Sequence, residues 1–393
     1  MESSREFRVL ATSGAARAGI LTTPHGDIPT PAFMPVATQG SVKALTPEEV
    51  EAAGARIILA NAYHLYLRPG VDVVRELGGL HAFTGWKGPV LTDSGGFQAF
   101  SLGSLRKISD EGILFRSHID GSEHLFTPEA AILYQEALGA DIIMCLDQCI
   151  AYGESQDAVR LAMERTHLWA ARCKEAHHGT RASNGQALFG IVQGGLFPDL
   201  RAESVEHIAS LGFDGYAVGG LGVGEPKGPM YDMTEKVGML LPKDQPRYLM
   251  GVGSPEDLVE SVARGMDLFD CALPTRVARN GALFTPLGRV DVTNRRFKGV
   301  SGPLQEGCDC YTCRKFSLAY LHHLFKSREL LGLRLASIHN LRFVLGLMEN
   351  IRTAILEDRF LSFRDSFLST YVPTSEPARL SQKEAWMEAR RIK

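Results

Sequence analysis

Short apolar runs recur along this chain, each closed by Gly or a polar residue. They read Ala32-Phe33-Met34-Pro35-Val36, Ile57-Ile58-Leu59-Ala60, Val90-Leu91-Thr92 and Asp141-Ile142-Ile143-Met144-Cys145-Leu146. Leu188-Phe189-Gly190-Ile191-Val192, Gly215-Tyr216-Ala217-Val218, Arg247-Tyr248-Leu249-Met250 and Leu268-Phe269-Asp270-Cys271 complete the series. Continuous rather than alternating, the eight runs suit strands buried on both faces, as in a parallel sheet. Helical stretches lie between most of them. Thr46-Pro47-Glu48-Glu49 and Ser254-Pro255-Glu256-Asp257 each pair an N-cap hydroxyl with an acid three residues on, with Pro at the first helical position. Thr127-Pro128-Glu129 opens a helix through Tyr134 to Leu138, and further helices are expected over 154–178, 204–211 and 232–241. Eight strands with helical crossovers predict an α/β fold, a (β/α)8 TIM barrel. A doubly wound sheet would carry fewer strands and a Gly-rich fingerprint, and no G-x-G-x-x-G is present.

Two parts fall outside this pattern. The first 30 or so residues read as a hairpin, Ala18 to Leu21 against Ile28 to Thr30, turning at His25-Gly26-Asp27. After about residue 280 come an Asn280-Gly281 turn signal, short strands, a cysteine cluster and two helices. The whole of 1–393 is expected to be one catalytic barrel domain that includes a zinc-binding subdomain at about 280–345.

Composition narrows the class. A hydrophobic fraction of 45% and a charged fraction of 22% are those of an ordinary globular protein. The start, Met1 to Glu6, has no apolar signal core, and no apolar run approaches the roughly 20 residues that span a bilayer. A cytoplasmic protein with no membrane partner is expected. Seven cysteines, an odd count, argue against a disulfide framework. The net charge of -3 lacks the usual footprint of a nucleic-acid binder. Locally the picture changes, since 276–298 holds Arg276, Arg279, Arg289, Arg295, Arg296 and Lys298 against one acid, Asp291. Such a run is either a solvated loop or a surface for phosphates.

In a barrel the chemistry sits at the C-terminal strand ends. The residues just past the runs are Gln39, Asn61 with His64, Asp93 with Ser94, Asp147, Gln193, Gly219-Gly220, Gly251 and, near the last strand end, Asp270. Any one could be a helix cap or loop acceptor. Together they suit a site that reads a heterocycle and moves a proton. N-glycosidic cleavage needs a carboxylate to trap an oxocarbenium-like centre and a second group to handle protons. Asp147 can accept from a purine's N–H groups, while Gln193 and a backbone N–H of the Gly219-Gly220 turn can donate to its carbonyl. Phe97 and Met250 could sandwich the ring. A base in RNA would have to be flipped into such a pocket.

Cys308, Cys310 and Cys313 with His339 form a compact ligand set for one structural Zn2+ per subunit, three thiolates and an imidazole leaving no open position. His322 and His323 are nearby alternatives, and His339 is preferred because it is expected to open the final helix, letting two helices clamp the metal.

At this point the chain resembles the tRNA-guanine transglycosylases of bacterial type, over nearly its whole length. The matching motifs are Phe33-Met34-Pro35-Val36, Tyr63-His64-Leu65, Thr92-Asp93-Ser94-Gly95-Gly96-Phe97-Gln98, Gln193-Gly194-Gly195 and Val218-Gly219-Gly220-Leu221. Tyr248-Leu249-Met250-Gly251-Val252-Gly253, Phe269-Asp270-Cys271-Ala272-Leu273-Pro274-Thr275-Arg276 and the zinc set follow. The resemblance implies exchange of the wobble guanine of tRNAs with a G-U-N anticodon for 7-aminomethyl-7-deazaguanine, in queuosine biosynthesis. Asp270 would be the nucleophile forming a covalent RNA–aspartyl intermediate, and Asp93 the general acid and base. Ser94, Asp147, Gln193 and Gly220 match base-reading positions, and Phe97 and Met250 the stacking pair. Leu221, through its carbonyl, and Glu225 match the receivers of the aminomethyl group. Arg276 and Arg279 match residues that hold anticodon uridines. Cys149 and Val223 follow the bacterial pattern rather than that of queuine-inserting members. The resemblance also implies a homodimer through the zinc region, with Leu65, Phe316, Tyr320 and His323 at the interface. Three other readings stay open: a queuine-inserting enzyme, a phosphate-binding metabolic barrel using Gly251-Val252-Gly253-Ser254, and a non-catalytic RNA-binding subunit.

Overall fold

Eight parallel strands close on themselves in the computed structural model, which describes residues 6–96, 106–180 and 185–375. In chain order the strands are β1 (Phe7–Ser13), β2 (Ala16–Thr23), β3 (Gly26–Thr30), β4 (Ala32–Ala37), β5 (Ile58–Asn61), β6 (Val90–Asp93), β7 (Arg106–Ile108) and β8 (Ile113–Arg116). Then come β9 (Glu123–Phe126), β10 (Ile142–Met144), β11 (Ala187–Val192), β12 (Gly215–Val218), β13 (Arg247–Leu249), β14 (Leu268–Cys271), β15 (Ala282–Thr285) and β16 (Gly288–Asp291). The barrel runs β4-β5-β6-β10-β11-β12-β13-β14 and closes where β14 pairs with β4, Asp270 opposite Met34. All eight strands fall on the eight apolar runs.

The barrel interior is filled by alternate strand residues, among them Met34, Leu59, Leu91, Met144, Phe189, Ala217 and Leu268. Leu21 and Ile28 join this cluster, so the β2–β3 hairpin plugs the end of the barrel where the strands begin. The hairpin is the expected one, extended by a third strand, β1. Buried polar groups lock it down. Arg17 donates to Asp267 and to the Lys243 carbonyl, and the backbone N–H of His25 and its Nδ1 both face Asp141 Oδ1, at 3.2 and 2.7 Å.

The helix starts follow the sequence signals with one exception. Thr46 and Glu49 complete a capping box, and Thr127 Oγ1 accepts from Ala130 N. Ser254 caps nothing, because its Oγ donates to the Asp257 carboxylate at 2.6 Å instead of accepting from backbone. The helices expected at 154–178, 204–211 and 232–241 are observed at Gln156–Thr180, Pro198–Ser210 and Lys227–Leu240. A three-stranded antiparallel sheet, β7–β9, interrupts the pattern between β6 and β10. Its strands are three or four residues long with alternating burial, so no continuous apolar run announced them.

The region after residue 280 differs most from expectation. Among the described residues four α-helices, not two, follow β16: Tyr311–Lys315, Leu318–Lys326, Leu330–Leu356 and Phe360–Thr370. His339 lies midway along the 27-residue Leu330–Leu356 helix rather than opening the last one. That helix is long and apolar enough on average to cross a membrane, although Arg334, His339 and Arg342 keep its uninterrupted apolar runs short, as expected from the sequence. It is a core helix, packed on β1, β2, β4 and β15. Asn340 in its middle accepts from Phe284 N and donates to the Pro274 and Ala282 carbonyls, joining the C-terminal segment to the barrel.

Candidate active site

The strand ends converge as barrel geometry requires. Asn61 and Asp93 close neighbouring strands in register, and Asn61 Nδ2 donates to Asp93 Oδ2 at 3.0 Å. The Gly95 N–H donates to Asp93 Oδ1 at 2.9 Å. Gly95 has φ +91°, and a Cβ there would lie 2.9 Å from that of Tyr63, so the turn admits glycine alone. On β14, Asp270 Oδ1 accepts from the Tyr248 hydroxyl at 2.6 Å and from Gly251 N at 2.7 Å. Burial pushes the Asp270 carboxyl up to about 6, with the Asp93 charge adding and the two donors opposing. Asp147, at the end of the β10 segment, is buried and accepts from Gln193 Nε2 at 2.7 Å. Burial, then Asp93, carries it to about 7 against the Gln193 bond. Asp93 thus acts electrostatically on both other carboxylates.

Around Asp147 the backbone comes very close. A Cβ on Gly96 would sit 2.7 Å from the Asp147 carbonyl, and Cβ atoms on Gly219 and Gly220 would sit 2.6 and 2.5 Å from the Gln193 carboxamide. Gly220 also has φ +67°. Ser94 is buried beside them. Glu225 is buried and accepts all three N–H groups of Gly222, Val223 and Gly224. Leu221 and Cys149 are buried, and Val223 and Met250 half-buried. Phe97, the expected stacking partner of Met250, lies outside the described residues. Gln39, named among the strand-end residues, is exposed.

Sequence reasoning missed two residues. Tyr248 stood only inside a strand and a motif, yet its hydroxyl reaches Asp270. Arg201 is fully buried in the Pro198–Ser210 helix, donating to the Val192 and Gly195 carbonyls at 2.9 Å each. Nothing local distinguishes it from a surface helix arginine.

Immediately after Asp270, the Leu273–Arg279 helix carries Arg276, exposed, and Arg279, half-buried. Arg295, Arg296 and Lys298 are exposed further on. A phosphate site at 251–254 is not built. The Gly251 N–H is given to Asp270, Ser254 to Asp257, and the first turn of the following helix holds Glu256 and Asp257, both paired with Lys227. Two carboxylates there repel a phosphate.

Cys308, Cys310, Cys313 and His339 form a group that could hold a metal ion. The Sγ atoms lie 3.9, 3.6 and 3.4 Å from His339 Nδ1. Zinc bonds to thiolate and imidazole give a tetrahedral edge of about 3.6 Å, so the donor set fits. His339 Nε2 bonds the Phe284 carbonyl at 2.7 Å, which orients the ring. His322 is occupied with the Val292 carbonyl, and His323 is exposed. Phe316, Tyr320 and His323 stack in a row, whereas Leu65 is completely buried in its own subunit and supplies no exposed surface.

A closed (β/α)8 barrel with three carboxylates at its mouth and a Cys3His group that could hold a metal ion defines a TIM-barrel enzyme. The family model described as queuine tRNA-ribosyltransferase matches residues 12–373. Proteins named queuine tRNA-ribosyltransferase are similar along most of the chain. One from Symbiobacterium thermophilum is 59% identical over 359 residues, 91% of this chain and 89% of its own. One from Herpetosiphon aurantiacus is 56% identical over 380 residues, covering 97% and 96%. One from Desulforamulus reducens is 55% identical over 356 residues, covering 91% and 95%. The chain belongs to the queuine tRNA-ribosyltransferase family and is an enzyme, a tRNA-guanine transglycosylase.

Proposed function

We propose that this enzyme exchanges the wobble guanine of tRNAs with a G-U-N anticodon for 7-aminomethyl-7-deazaguanine, by double displacement at Asp270. The reading rests chiefly on Asp270, whose Oδ1 is held by Tyr248 and Gly251 while Oδ2 has no hydrogen bond among the described residues. Oδ2 attacks the ribose anomeric carbon, the bond from that carbon to guanine breaks, and Asp93, entering the cycle in its protonated form, hands that proton to the departing base. Asp93 then takes a proton from the incoming base. That base displaces the Asp270 carboxylate, and the glycosidic bond is remade.

Base reading falls to Asp147, Gln193, Ser94 and the Gly220 N–H, with Met250 and Phe97 stacking. Asp147 accepts from the purine N–H groups, and the second N–H of the Gln193 carboxamide donates to the carbonyl. The Gly222 N–H turns to Glu225, and peptide planarity sends the Leu221 carbonyl the other way. A carbonyl and a buried carboxylate on one short loop suit an aminomethyl cation. Cys149 and Val223 narrow the pocket against queuine. Arg276 and Arg279 follow Asp270 closely enough to hold the flanking uridines. Cys308, Cys310, Cys313 and His339 would hold a zinc ion, which would supply structural cross-linking of the C-terminal segment and no chemistry. The barrel and metal module act as one catalytic unit over 1–393, in a cytoplasmic homodimer that uses the Phe316–Tyr320–His323 face.

The test is incorporation of labelled guanine, 7-aminomethyl-7-deazaguanine and queuine into an anticodon stem-loop bearing U-G-U. Wild type should incorporate the first two. Asp270→Ala should incorporate none while keeping its metal and its affinity for the RNA. No uptake by metal-loaded wild type would sink the reading.

A further inference from the structure

The Pro198–Ser210 helix sends two fully buried side chains under the loop that carries Gln193. Arg201 Nη1 donates to the Val192 carbonyl at 2.9 Å, and Ser204 Oγ accepts the Gln193 N–H at 3.1 Å. These are the two edges of one peptide group, so that peptide plane is gripped from both sides. Arg201 Nε closes the loop by donating to the Gly195 carbonyl at 2.9 Å. Gly194 between them could carry no side chain, because a Cβ would meet Arg201 N at 2.9 Å.

The Ser204 hydroxyl is fixed in turn. Its partner is His167 Nε2 at 3.0 Å, on a ring stacked against His207 with centroids 4.3 Å apart. Burial, helped by His207, holds His167 down at about 4, so near neutrality the ring is uncharged and its Nε2 can accept the hydroxyl proton. With its own proton committed there, Ser204 Oγ presents a lone pair to Gln193 N–H. The remaining guanidinium nitrogen, Arg201 Nη2, is buried with no partner among the described residues and lies 3.7 Å from where a Gly220 Cβ would be, the same point that is 2.5 Å from Gln193 Oε1. The arginine therefore underlies both turns that face the base.

We infer that Arg201 and Ser204 are positioning residues for base selection: they set the direction of the Gln193 carboxamide and, through it, its bond to Asp147. The inference rests on the base-exchange function proposed above. Burial, the Gln193 donor, the Asp93 charge and a backbone hydrogen bond act on Asp147, which in turn pushes up the neighbouring thiols Cys145 and Cys149. Only the Gln193 bond depends on the clamp.

The test is base-exchange kinetics with Ser204→Ala in the full-length, zinc-loaded enzyme, read as KM for the free base against kcat at saturating RNA. Freeing the Gln193 N–H should raise KM for guanine about tenfold, the effect of one lost buried hydrogen bond. It should also move the acid limb of kcat/KM for the base to higher pH, since the donor that favours the ionised Asp147 is lost. A purely structural role would lower kcat through fewer active molecules and leave KM and the pH limb in place. Ser204→Thr, which keeps the hydroxyl, should restore both. Arg201→Lys is a second route if the alanine variant does not fold, because one ammonium cannot bridge the Val192 and Gly195 carbonyls as the guanidinium does, and it should give the same split. Unchanged KM and pH limb in the folded variants would overturn the inference alone. Absence of exchange by wild type would overturn the function and this inference with it.

Discussion

The Tyr248 hydroxyl and the Asp270 carboxylate stand 2.6 Å apart on adjacent barrel strands, the tyrosine donating. Together with Gly251 N–H on the same oxygen, this bond favours the ionised form against the burial that penalises it. Tyr248→Phe removes one donor and keeps the ring. Exchange at neutral pH should drop on the order of tenfold, with a nearly unchanged KM for RNA. A rate equal to wild type would show that the hydroxyl does nothing for Asp270.

The pH profile follows from two raised carboxyls. Asp270 must be ionised to attack and Asp147 ionised to accept from the base, and they sit at about 6 and about 7. Exchange should therefore fall as pH drops through 7 towards 6, well above the ordinary carboxylate range. A profile flat down to pH 5 would contradict both assignments.

The same burial has a stability cost. In the folded state Asp147 keeps its proton to about 7, whereas the unfolded chain loses it near the ordinary value of 3.8. The native state thus binds more protons between these limits, and stability declines as pH rises through that window. Asp147→Asn should melt higher than wild type at pH 8, by roughly 2–4 kcal/mol, with the gap closing at pH 4. Base affinity should fall in the same variant. Equal melting at both pH values would exclude a strained native carboxylate.

Gly220→Ala should cripple base exchange while sparing the fold. The added methyl would lie 2.5 Å from Gln193 Oε1 at a φ of +67°. Both the carboxamide and the turn N–H would have to move. The loss should appear as a higher KM for the free base. A KM within about twofold of wild type would mean that this turn does not face the base.

Cys310→Ser should release the metal and loosen the C-terminal segment. Cys310 is buried and is one of three thiols around His339, whose other nitrogen is tied to β15 through Phe284. Metal content by elemental analysis should fall from one to near zero per chain, with a lower first melting transition. A metal-free variant melting like wild type would rule out a structural metal.

The barrel was readable along the chain because burial on both faces leaves a local trace, an uninterrupted apolar run, and each strand leaves one. Asp93, Asp147, Gln193 and Asp270 were legible as candidates for the same reason: a strand end is a position in sequence as much as in space. The Cys-x-Cys-x-x-Cys spacing likewise declares itself. His339 was correctly joined to it, but its place within a helix was not, since a 27-residue core helix interrupted by His, Asn and Arg looks locally like two shorter ones.

The short alternating strands β7–β9 left no such trace. Tyr248 above Asp270 and Arg201 with Ser204 beneath Gln193 are pairings set by register and by helix docking, at separations of 22, 6 to 9 and 11 residues. Leu65, expected at a surface between subunits, is interior for the same reason. Which side of an element faces the core, and which donor meets which carboxylate, is decided only when the elements pack. Desolvation, which brings Asp270 to about 6 and Asp147 to about 7, exists only in the closed barrel.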